Sequence, residues 1–414
     1  MTKKILFSLI FFFVFTFVQG GPGDPEDPLD RPQGMDKPRV LISTDIGGGD
    51  EDDMQTFVRY LMYSDMFETE GLVASPPQAG RKADLLKIVD LYEQDYAHLK
   101  TWSWFLHPDS LRAVTKQGAT GVGAPASGQN TEGSDLIVAR GKVDDPRPLW
   151  ILVWGSITDV AQALYDAPEI KENIRVYTIG SWNTRQDQAA HKYVQDVHKS
   201  DLWWIENDVS FRGMYQEGNL SGTYNNVTYS NNIIGPYGAL GNFYKSLKSG
   251  SLKEGDSPSI LYLLGHLLGH PGDPDDPTQE HWGGQFVKVG DMHYDDLTDE
   301  FASDAVRSKM TVAKWREQFA DHFANRIKWT TKDNPVPLPV IKPDTCYISP
   351  GETAPDSCDV TITPVNRIGK NANNNRDMKF FREHFGFIFS KHGKHYDFKG
   401  RRVPLDGKRS PSIE

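Results

Sequence analysis

Short apolar segments alternate with helical patterns along most of this chain, and this alternation constrains the fold more than any other feature of the sequence. The segments that we interpret as strands are 40–42, 71–74, 149–153, 174–179 and 202–205. After the first of them, apolar residues recur at helical spacing on one face: Met54, Phe57, Val58, Leu61 and Met62. Strands that alternate with helices predict a doubly wound α/β fold with a mostly parallel sheet.

The N-terminus predicts export. Lys3 and Lys4 precede an apolar run at 5–18, and Gly20 follows it at the position of a cleavage site. This is the layout of a secretory signal peptide, so we expect residues 1–20 to be removed and the protein to be secreted or periplasmic. An uncleaved N-terminal anchor is the alternative, although the run is short for a membrane span. No later segment of the sequence predicts a membrane span.

The remainder of the 414-residue chain divides into three parts. Residues 21–37 are rich in Pro, Gly and Asp and predict a linker. The alternating pattern continues through 38–330, which we interpret as one α/β domain. Residues 331–414 are predicted to form a short C-terminal extension, and we expect its Cys346 and Cys358 to form a disulfide, as a cysteine pair in an exported chain does.

The composition narrows the range of partners. Hydrophobic residues make up 38% of the chain and charged residues 24%, which is typical of a globular protein. The formal net charge of -11 argues against a nucleic-acid partner, because nucleic-acid binders carry a basic face. The acidic surplus is compatible with ordinary solubility and also with a cluster of carboxylates arranged for a metal.

Acidic, hydroxyl and glycine residues crowd the turn after the first strand, at 43–53. In doubly wound folds, ligands bind at the carboxyl ends of the strands, where this turn is expected to lie. Converging oxygen ligands suit Ca²⁺. The alternative is a solvated acidic turn that caps the next helix, since Asp favours N-cap positions. The EF-hand pattern fits poorly, because the segment follows a strand and lacks the closing Glu of that loop.

The segment Val40–Tyr63 resembles the N-terminal signature of nucleoside hydrolases. More narrowly, it is similar to the secreted branch described by the cellulose-binding protein nucleoside hydrolase-like domain. The general signature is a strand, then Asp-Thr-Asp-Pro-Gly-x-Asp-Asp, then a helix. Ser43 stands at its first Asp, Asp45 at its second and Asp52-Asp53 at the closing pair, with a longer loop between them.

Further blocks extend the resemblance over about residues 38–330. The segment Trp150–Leu164 resembles the strand, turn and helix whose family form contains Gly-Pro-Leu-Thr-Asn. Gly255–Leu264 resembles the late His-Asp helix start, and His281–Phe286 resembles the Trp-Gly-Gly block of the secreted branch. The blocks are in the family's order, so together they imply the nucleoside hydrolase fold.

The resemblance implies a Ca²⁺ site at the ends of the parallel strands. Its ligands would be Asp45, Asp53, Asp256 and the backbone carbonyl of Trp154. Asp52 would accept hydrogen bonds from sugar hydroxyls, and Asp45 would also be the general base for a metal-bound water. The reaction implied is hydrolysis of a glycosidic or N-glycosidic bond through an oxocarbenium-like transition state.

Substrate contacts are less well defined by the resemblance. The ribose-binding region of the family corresponds to 180–187, where Asn183 and Asp187 are candidate sugar contacts, although their spacing differs from the nucleosidase pattern. Asp187 is equally suited to be a helix N-cap. Trp282 is a candidate for stacking on a sugar ring or for packing in the core. Gly255 stands where the family has His, which argues against a nucleoside substrate more than against the metal site.

Several other residues have two interpretations. For His191, a surface position on a helix is favoured over a role in the cleft. His266 and His270 have the i, i+4 spacing of a zinc site, but no Glu is suitably placed, so core-edge or loop positions are favoured. The tryptophans considered for carbohydrate platforms are Trp102, Trp104, Trp203 and Trp204, of which one member of the adjacent pair is expected in the core.

Three functions remain open from the sequence. The first is a secreted Ca²⁺-dependent hydrolase with a carbohydrate or glycoside substrate. The second is a non-catalytic carbohydrate-binding protein on a nucleoside hydrolase scaffold. The third is a structural protein whose Ca²⁺ ties down the first loop. The resemblance also makes a homo-oligomer possible, because nucleoside hydrolases often form dimers or tetramers.

Overall fold

The computed structural model describes residues 37–47 and 51–335, together with the backbone of three short segments at 389–391, 394–396 and 402–403. The chain divides into two compact units, Met1–Ile341 and Lys342–Glu414. The predicted signal peptide, the linker up to residue 36 and both cysteines lie outside the described residues, so these expectations stay predictions. None of the described helices has the length and apolar composition that a bilayer span requires.

A mostly parallel sheet is the centre of the first unit, as the alternating pattern predicts. Its strands are β1 (Arg39–Thr44), β2 (Glu68–Ala74), β3 (Thr115–Gln117), β4 (Leu149–Val153), β5 (Ile174–Ile179), β6 (Trp203–Asn207), β7 (Phe286–Lys288) and β8 (His293–Asp296). Their order across the sheet is β3-β2-β1-β4-β5-β6-β8-β7. Neighbouring strands run parallel except for β7 and β8, which form an antiparallel edge.

Helices connect the strands. They are α1 (Asp52–Leu61), α2 (Lys82–Leu99), α3 (Pro108–Ala113), α4 (Glu132–Gly141), α5 (Thr158–Asp166), α6 (Trp182–Gln186), α7 (Gln188–His198), α8 (Asn226–Thr228), α9 (Gly238–Ser246), α10 (Ser257–Leu267), α11 (Val306–Ala313) and α12 (Arg316–Arg326). Single turns of 3₁₀ helix lie at Pro168–Glu172, Ser210–Met214, Gly222–Tyr224, Lys248–Gly250 and Ile327–Thr331, and Tyr229–Ile234 is π-helical. In the second unit, β9 (Phe389–Lys391), β10 (Lys394–Tyr396) and β11 (Arg402–Val403) form an antiparallel sheet.

Both faces of the large sheet are buried, which explains why central strands such as β4 are continuously apolar rather than alternating. Val40 and Ile42 of β1 belong to the core cluster that includes α1, α2 and α10, whereas Leu41 belongs to the cluster that includes α4, α5 and α7. Successive side chains of β4 divide in the same way, with Leu152 on the first face and Val153 on the second. The sheet is therefore fully sandwiched, and its carboxyl edge is the side on which a ligand is expected.

Three strands of the large sheet, β3, β7 and β8, were not predicted, and all three are short. Two of them, β3 and β8, are also polar. Thr115–Gln117 reads Thr-Lys-Gln and His293–Asp296 reads His-Tyr-Asp-Asp, so neither has an apolar run. Near the end of the first unit, two helices, α11 and α12, follow one another and are separated by Lys314 and Trp315.

Candidate carboxylate site

The first turn between a strand and a helix places three carboxylates at the carboxyl edge of the sheet. Asp45 follows β1 directly, while Asp52 and Asp53 form the first turn of α1, and all three are buried. Asp53 Oδ1 accepts a hydrogen bond from Thr44 Oγ1. Asp45 Oδ2 accepts one from the backbone amide of Gln78 at 3.1 Å. These three carboxylates are therefore in the interior of the protein and do not form a solvated cap.

A second segment, the turn before α10, is fastened to α1 by side chains on one helical face. Gln55 Oε1 accepts the backbone amide of Lys253 at 2.8 Å, and Arg59 Nε donates to Glu254 Oε2 at 2.6 Å. These contacts bring the buried Asp256 to the N-terminal end of α1, where Asp53 lies.

The electrostatics of Asp53 show that the four carboxylates are neighbours. Burial raises the pKa of Asp53 well above its ordinary range, and the charges of Asp256, Asp45 and Asp52 raise it further. The hydrogen bond from Thr44 acts in the opposite direction but does not offset these effects. These carboxylates, although distant in sequence, are thus within range of one another's charges. Their roles as ligands stay predictions.

Two lysines that the sequence analysis did not single out contact the same cluster. Lys253 Nζ lies 3.3 Å from Asp52 Oδ2, and Lys248 Nζ lies 3.7 Å from Asp52 Oδ1. Neither lysine stands in a recognisable motif, so only their position on the turn before α10 identifies them. Both ammonium groups therefore lie beside one carboxylate of the cluster, that of Asp52.

The Trp154 carbonyl lies at the end of β4, beside the end of β1. The backbone amide of Trp154 donates to the carbonyl of Ser43 at 2.7 Å, which continues the β1–β4 pairing. The next residue is Gly155, where a Cβ would lie 2.8 Å from the Cβ of Asp45, so only glycine allows the two turns to approach this closely. The Trp154 carbonyl oxygen already accepts a hydrogen bond from Asn183 Nδ2 at 2.8 Å.

The donor chemistry fits a hard divalent cation. The candidate ligand atoms are carboxylate oxygens and one backbone carbonyl oxygen, which are the ligands that Ca²⁺ takes in proteins. Ser43, where the family has Asp, has a buried Oγ that no described residue hydrogen-bonds. However, within 37–47 and 51–335, no three His, Cys, Asp or Glu side chains form a group that could hold a metal ion as they stand. The residues present therefore suit a divalent cation in their chemistry, but their side chains are not already arranged around a metal position.

The predicted substrate contacts all have partners within the protein. Asn183 Nδ2 also donates to the carbonyl of Ile179 at 3.0 Å, and Asp187 accepts from Thr158 Oγ1 and from the backbone amide of Ala190, the N-cap interaction of α7. Trp282 is 7% exposed and donates from Nε1 to Gln318 Oε1 at 3.0 Å. Their roles in sugar binding stay predictions.

His191 lies in a pocket and not on an open helix surface. A small pocket of about 10 Å³ at the carboxyl ends of β4 and β5 is lined by Gly155, Asp187 and His191, among others. His191 Nε2 contacts Glu206 Oε2 at 2.5 Å, and His293 Nε2 contacts Glu206 Oε1 at 2.6 Å. Burial disfavours the charged imidazole, but the Glu206 carboxylate outweighs burial and raises the pKa of His191. Because Glu206 and His293 come from different strands, the sequence did not indicate this cluster.

The other histidine and tryptophan candidates make contacts within the protein. His266 lies near the end of α10 and is exposed, and its Nδ1 contacts the Gly272 carbonyl at 3.1 Å. Trp204 is fully buried, as expected for one member of the adjacent pair. Trp102 stacks on Trp329 with ring centroids 5.1 Å apart.

Gly255 leaves room that other side chains occupy. A Cβ at this position would lie 2.8 Å from Asp52 Oδ2 and 3.4 Å from the ring of Phe211. Where the family has His before the late Asp, this chain therefore has Asp52 and Phe211 in the adjacent space.

Comparisons with known proteins agree with this architecture. The family model described as cellulose-binding Sde182, nucleoside hydrolase-like domain matches residues 39–286. Among solved structures, a nucleoside hydrolase-related hypothetical protein from Saccharophagus degradans, associated with carbohydrate metabolism, has 25% identity and a TM-score of 0.58. The alignment covers 72% of this chain and 73% of that one. The chain has no match among curated proteins.

A more distant likeness is to a purine-preferring ribonucleoside hydrolase from Gardnerella vaginalis. It has 16% identity and a TM-score of 0.43, and the alignment covers 70% of this chain and 98% of that one. Because the score is low, this likeness carries no argument about substrate.

Proposed function

Because the chain belongs to the family of cellulose-binding Sde182, nucleoside hydrolase-like domains, we propose that it is a carbohydrate-directed hydrolase. The bond cleaved is a glycosidic or N-glycosidic bond, and the reaction depends on Ca²⁺. The observation that carries the proposal is the meeting of Asp45, Asp52, Asp53 and Asp256 at the carboxyl edge of the sheet. A location outside the cytoplasm and a homo-oligomeric state remain predictions from the sequence.

The residues that would hold the ion are Asp45, Asp53, Asp256 and the carbonyl oxygen of Trp154. A bound divalent cation supplies Lewis acidity, which acidifies water and orients sugar hydroxyls. Asp45 accepts the proton of the attacking water as general base. Asp52 accepts hydrogen bonds from the sugar, and the buried carboxylates stabilise the positive charge that develops on the ring as the bond breaks.

The test is hydrolysis of aryl-glycoside and nucleoside panels by the full chain, with and without chelator. We expect chelation to abolish turnover and Asp45→Asn to reduce it by roughly 10²-fold or more, the size of a general-base contribution. Asp304→Asn is the matched control, because Asp304 is an exposed carboxylate whose partner, Arg307, lies three residues away on the surface. Turnover that survives both chelation and Asp45→Asn would overturn the mechanism.

A second function is favoured by two observations. The family description names cellulose binding, and Gly255 replaces the family's His. A non-catalytic carbohydrate-binding protein would be retained on insoluble cellulose and would show no turnover on any member of the panels. Measured turnover excludes this alternative as the whole function. Ca²⁺-dependent melting without retention or turnover would leave only a structural role for the ion.

A further inference from the structure

Two lysine side chains reach one buried carboxylate from the same short segment of chain. Lys248 and Lys253 contact different oxygens of Asp52, at 3.7 Å and 3.3 Å. The side chain of Asp52 is 9% exposed, whereas those of Lys248 and Lys253 are 18% and 35% exposed. The ammonium groups are thus partly withdrawn from water and directed at the edge of the carboxylate cluster.

The segment that bears these lysines is held in place by its backbone. The amide of Lys248 donates to Glu51 Oε2 at 2.5 Å, and the amide of Lys253 donates to Gln55 Oε1 at 2.8 Å. Both acceptors lie at the start of α1 or just before it, next to Asp52. The two lysines are therefore fixed relative to the cluster by contacts that do not involve their charges.

Backbone strain in this segment supports a defined placement. Lys248 and Ser249 have φ values of 49° and 54°, and Glu254 has a φ of 39°. Non-glycine residues adopt this left-handed region at an energetic cost, so it persists where surrounding contacts determine the conformation. Such residues concentrate at binding sites.

The charges of the lysines have a direct consequence for cation binding. Affinity for a hard divalent cation increases with the negative charge of the ligand set, and each nearby ammonium group reduces that charge and repels the ion. We propose that Lys248 and Lys253 are built-in counter-cations, which compensate the carboxylate cluster when no divalent cation is bound and thereby hold its affinity for Ca²⁺ down. The inference rests on the proposed function only in taking the cluster as a cation site.

This role has opposite effects on two measurable quantities. Removing an ammonium group leaves the buried carboxylates less compensated, so the chelated protein should melt at a lower temperature. The same change should make Ca²⁺ bind more tightly. A purely structural role for the lysines would also lower the melting temperature, but it would leave Ca²⁺ affinity unchanged or weaken it.

The experiment is calorimetric titration of CaCl₂ into the full chain, with melting measured in chelator and in excess CaCl₂. The variants are Lys253→Met, Lys248→Met and the double variant. Lys171→Met is the matched control, because Lys171 is 25% exposed and pairs with Asp201 before β5 and β6, at the amino edge of the sheet.

We expect the dissociation constant for Ca²⁺ to fall roughly tenfold or more in Lys253→Met, and further in the double variant, since each change removes a nearby positive charge. Lys171→Met should retain the wild-type value. If wild type shows no binding, a gain of binding in the double variant also supports the inference. A folded Lys253→Met and double variant that bind Ca²⁺ no more tightly than wild type overturn it.

The two hypotheses fail separately in this design. A tightened dissociation constant without turnover on any substrate panel leaves the counter-cation role standing and removes the hydrolase. If turnover is sensitive to chelator but the dissociation constant is unchanged in the lysine variants, the hydrolase stands and the counter-cation role is removed.

Discussion

Arg59 and Glu254 form a fully buried ion pair, with Arg59 Nε 2.6 Å from Glu254 Oε2. Arg59 belongs to α1, whose first turn carries Asp52 and Asp53, and Glu254 lies two residues before Asp256. The pair therefore joins the two segments that supply the carboxylate cluster, across 195 residues of sequence. Neither side chain belongs to the carboxylate cluster. The pair positions the cluster by holding these two segments together.

Arg59→Met should be strongly destabilising. It leaves the Glu254 carboxylate buried without its cationic partner, a change that costs about 3–5 kcal/mol of unfolding free energy. The guanidinium also lies 4.2 Å from the centre of the Phe323 ring, a contact that methionine replaces only in part. Urea denaturation measures the effect. Arg307→Met, which breaks an exposed pair, should change stability by no more than about 0.5 kcal/mol, and equal losses in the two variants would contradict the prediction.

Gly255→Ala should perturb the site through steric contact. The added Cβ lies 2.8 Å from Asp52 Oδ2, so the carboxylate must move from its present position. We expect a loss of about 1–3 kcal/mol, the usual cost of overpacking a filled interior. Gly121→Ala is the control, since nothing lies within 4 Å of a Cβ there. Chemical denaturation compares the two, and a neutral Gly255→Ala would show that Asp52 relaxes freely.

The contribution of Asp208 to the stability of the protein should decrease as pH rises. Burial, with a smaller effect of the Glu206 charge, raises its pKa from 3.8 to about 6 in the folded state. Between these values the folded state retains a proton that the unfolded state has released, so stability falls as pH rises through this window and is level above it. In Asp208→Asn this contribution should be absent. The test compares the unfolding free energies of wild type and Asp208→Asn at about pH 4.5, inside the window, and at about pH 6.5, above it. An equal fall in unfolding free energy in the two proteins would refute the prediction.

His191 should also make the protein less stable as pH rises, but over a higher pH range than Asp208. Although burial opposes the charge, the Glu206 carboxylate raises the folded pKa of His191 above its ordinary 6.5. A raised folded pKa gives stability that is fully present below the unfolded value and is lost as pH rises through the folded value. His191→Gln should therefore remove a decline in melting temperature that begins near pH 6.5. If His191→Gln shows the same decline as wild type, the decline belongs to another group.

Local patterns were sufficient to predict the central strands. The segments at 149–153 and 174–179 correspond residue for residue to β4 and β5, because strands buried on both faces are continuous apolar runs. Polar strands such as β3 and β8 could not be recognised in this way, since their place in the sheet depends on a neighbouring strand and not on their own composition.

The candidate site shows the same division. The crowded turn that contains Asp45, Asp52 and Asp53, and its resemblance to a known family, are properties of adjacent residues, so the sequence by itself determined them. The approach of Asp256, the reach of Lys253 to Asp52 and the bridge from His191 through Glu206 were decided only by the tertiary structure. The physical reason is that residue spacing determines which face of a helix or strand is buried, whereas contacts across some two hundred residues depend on how those faces pack.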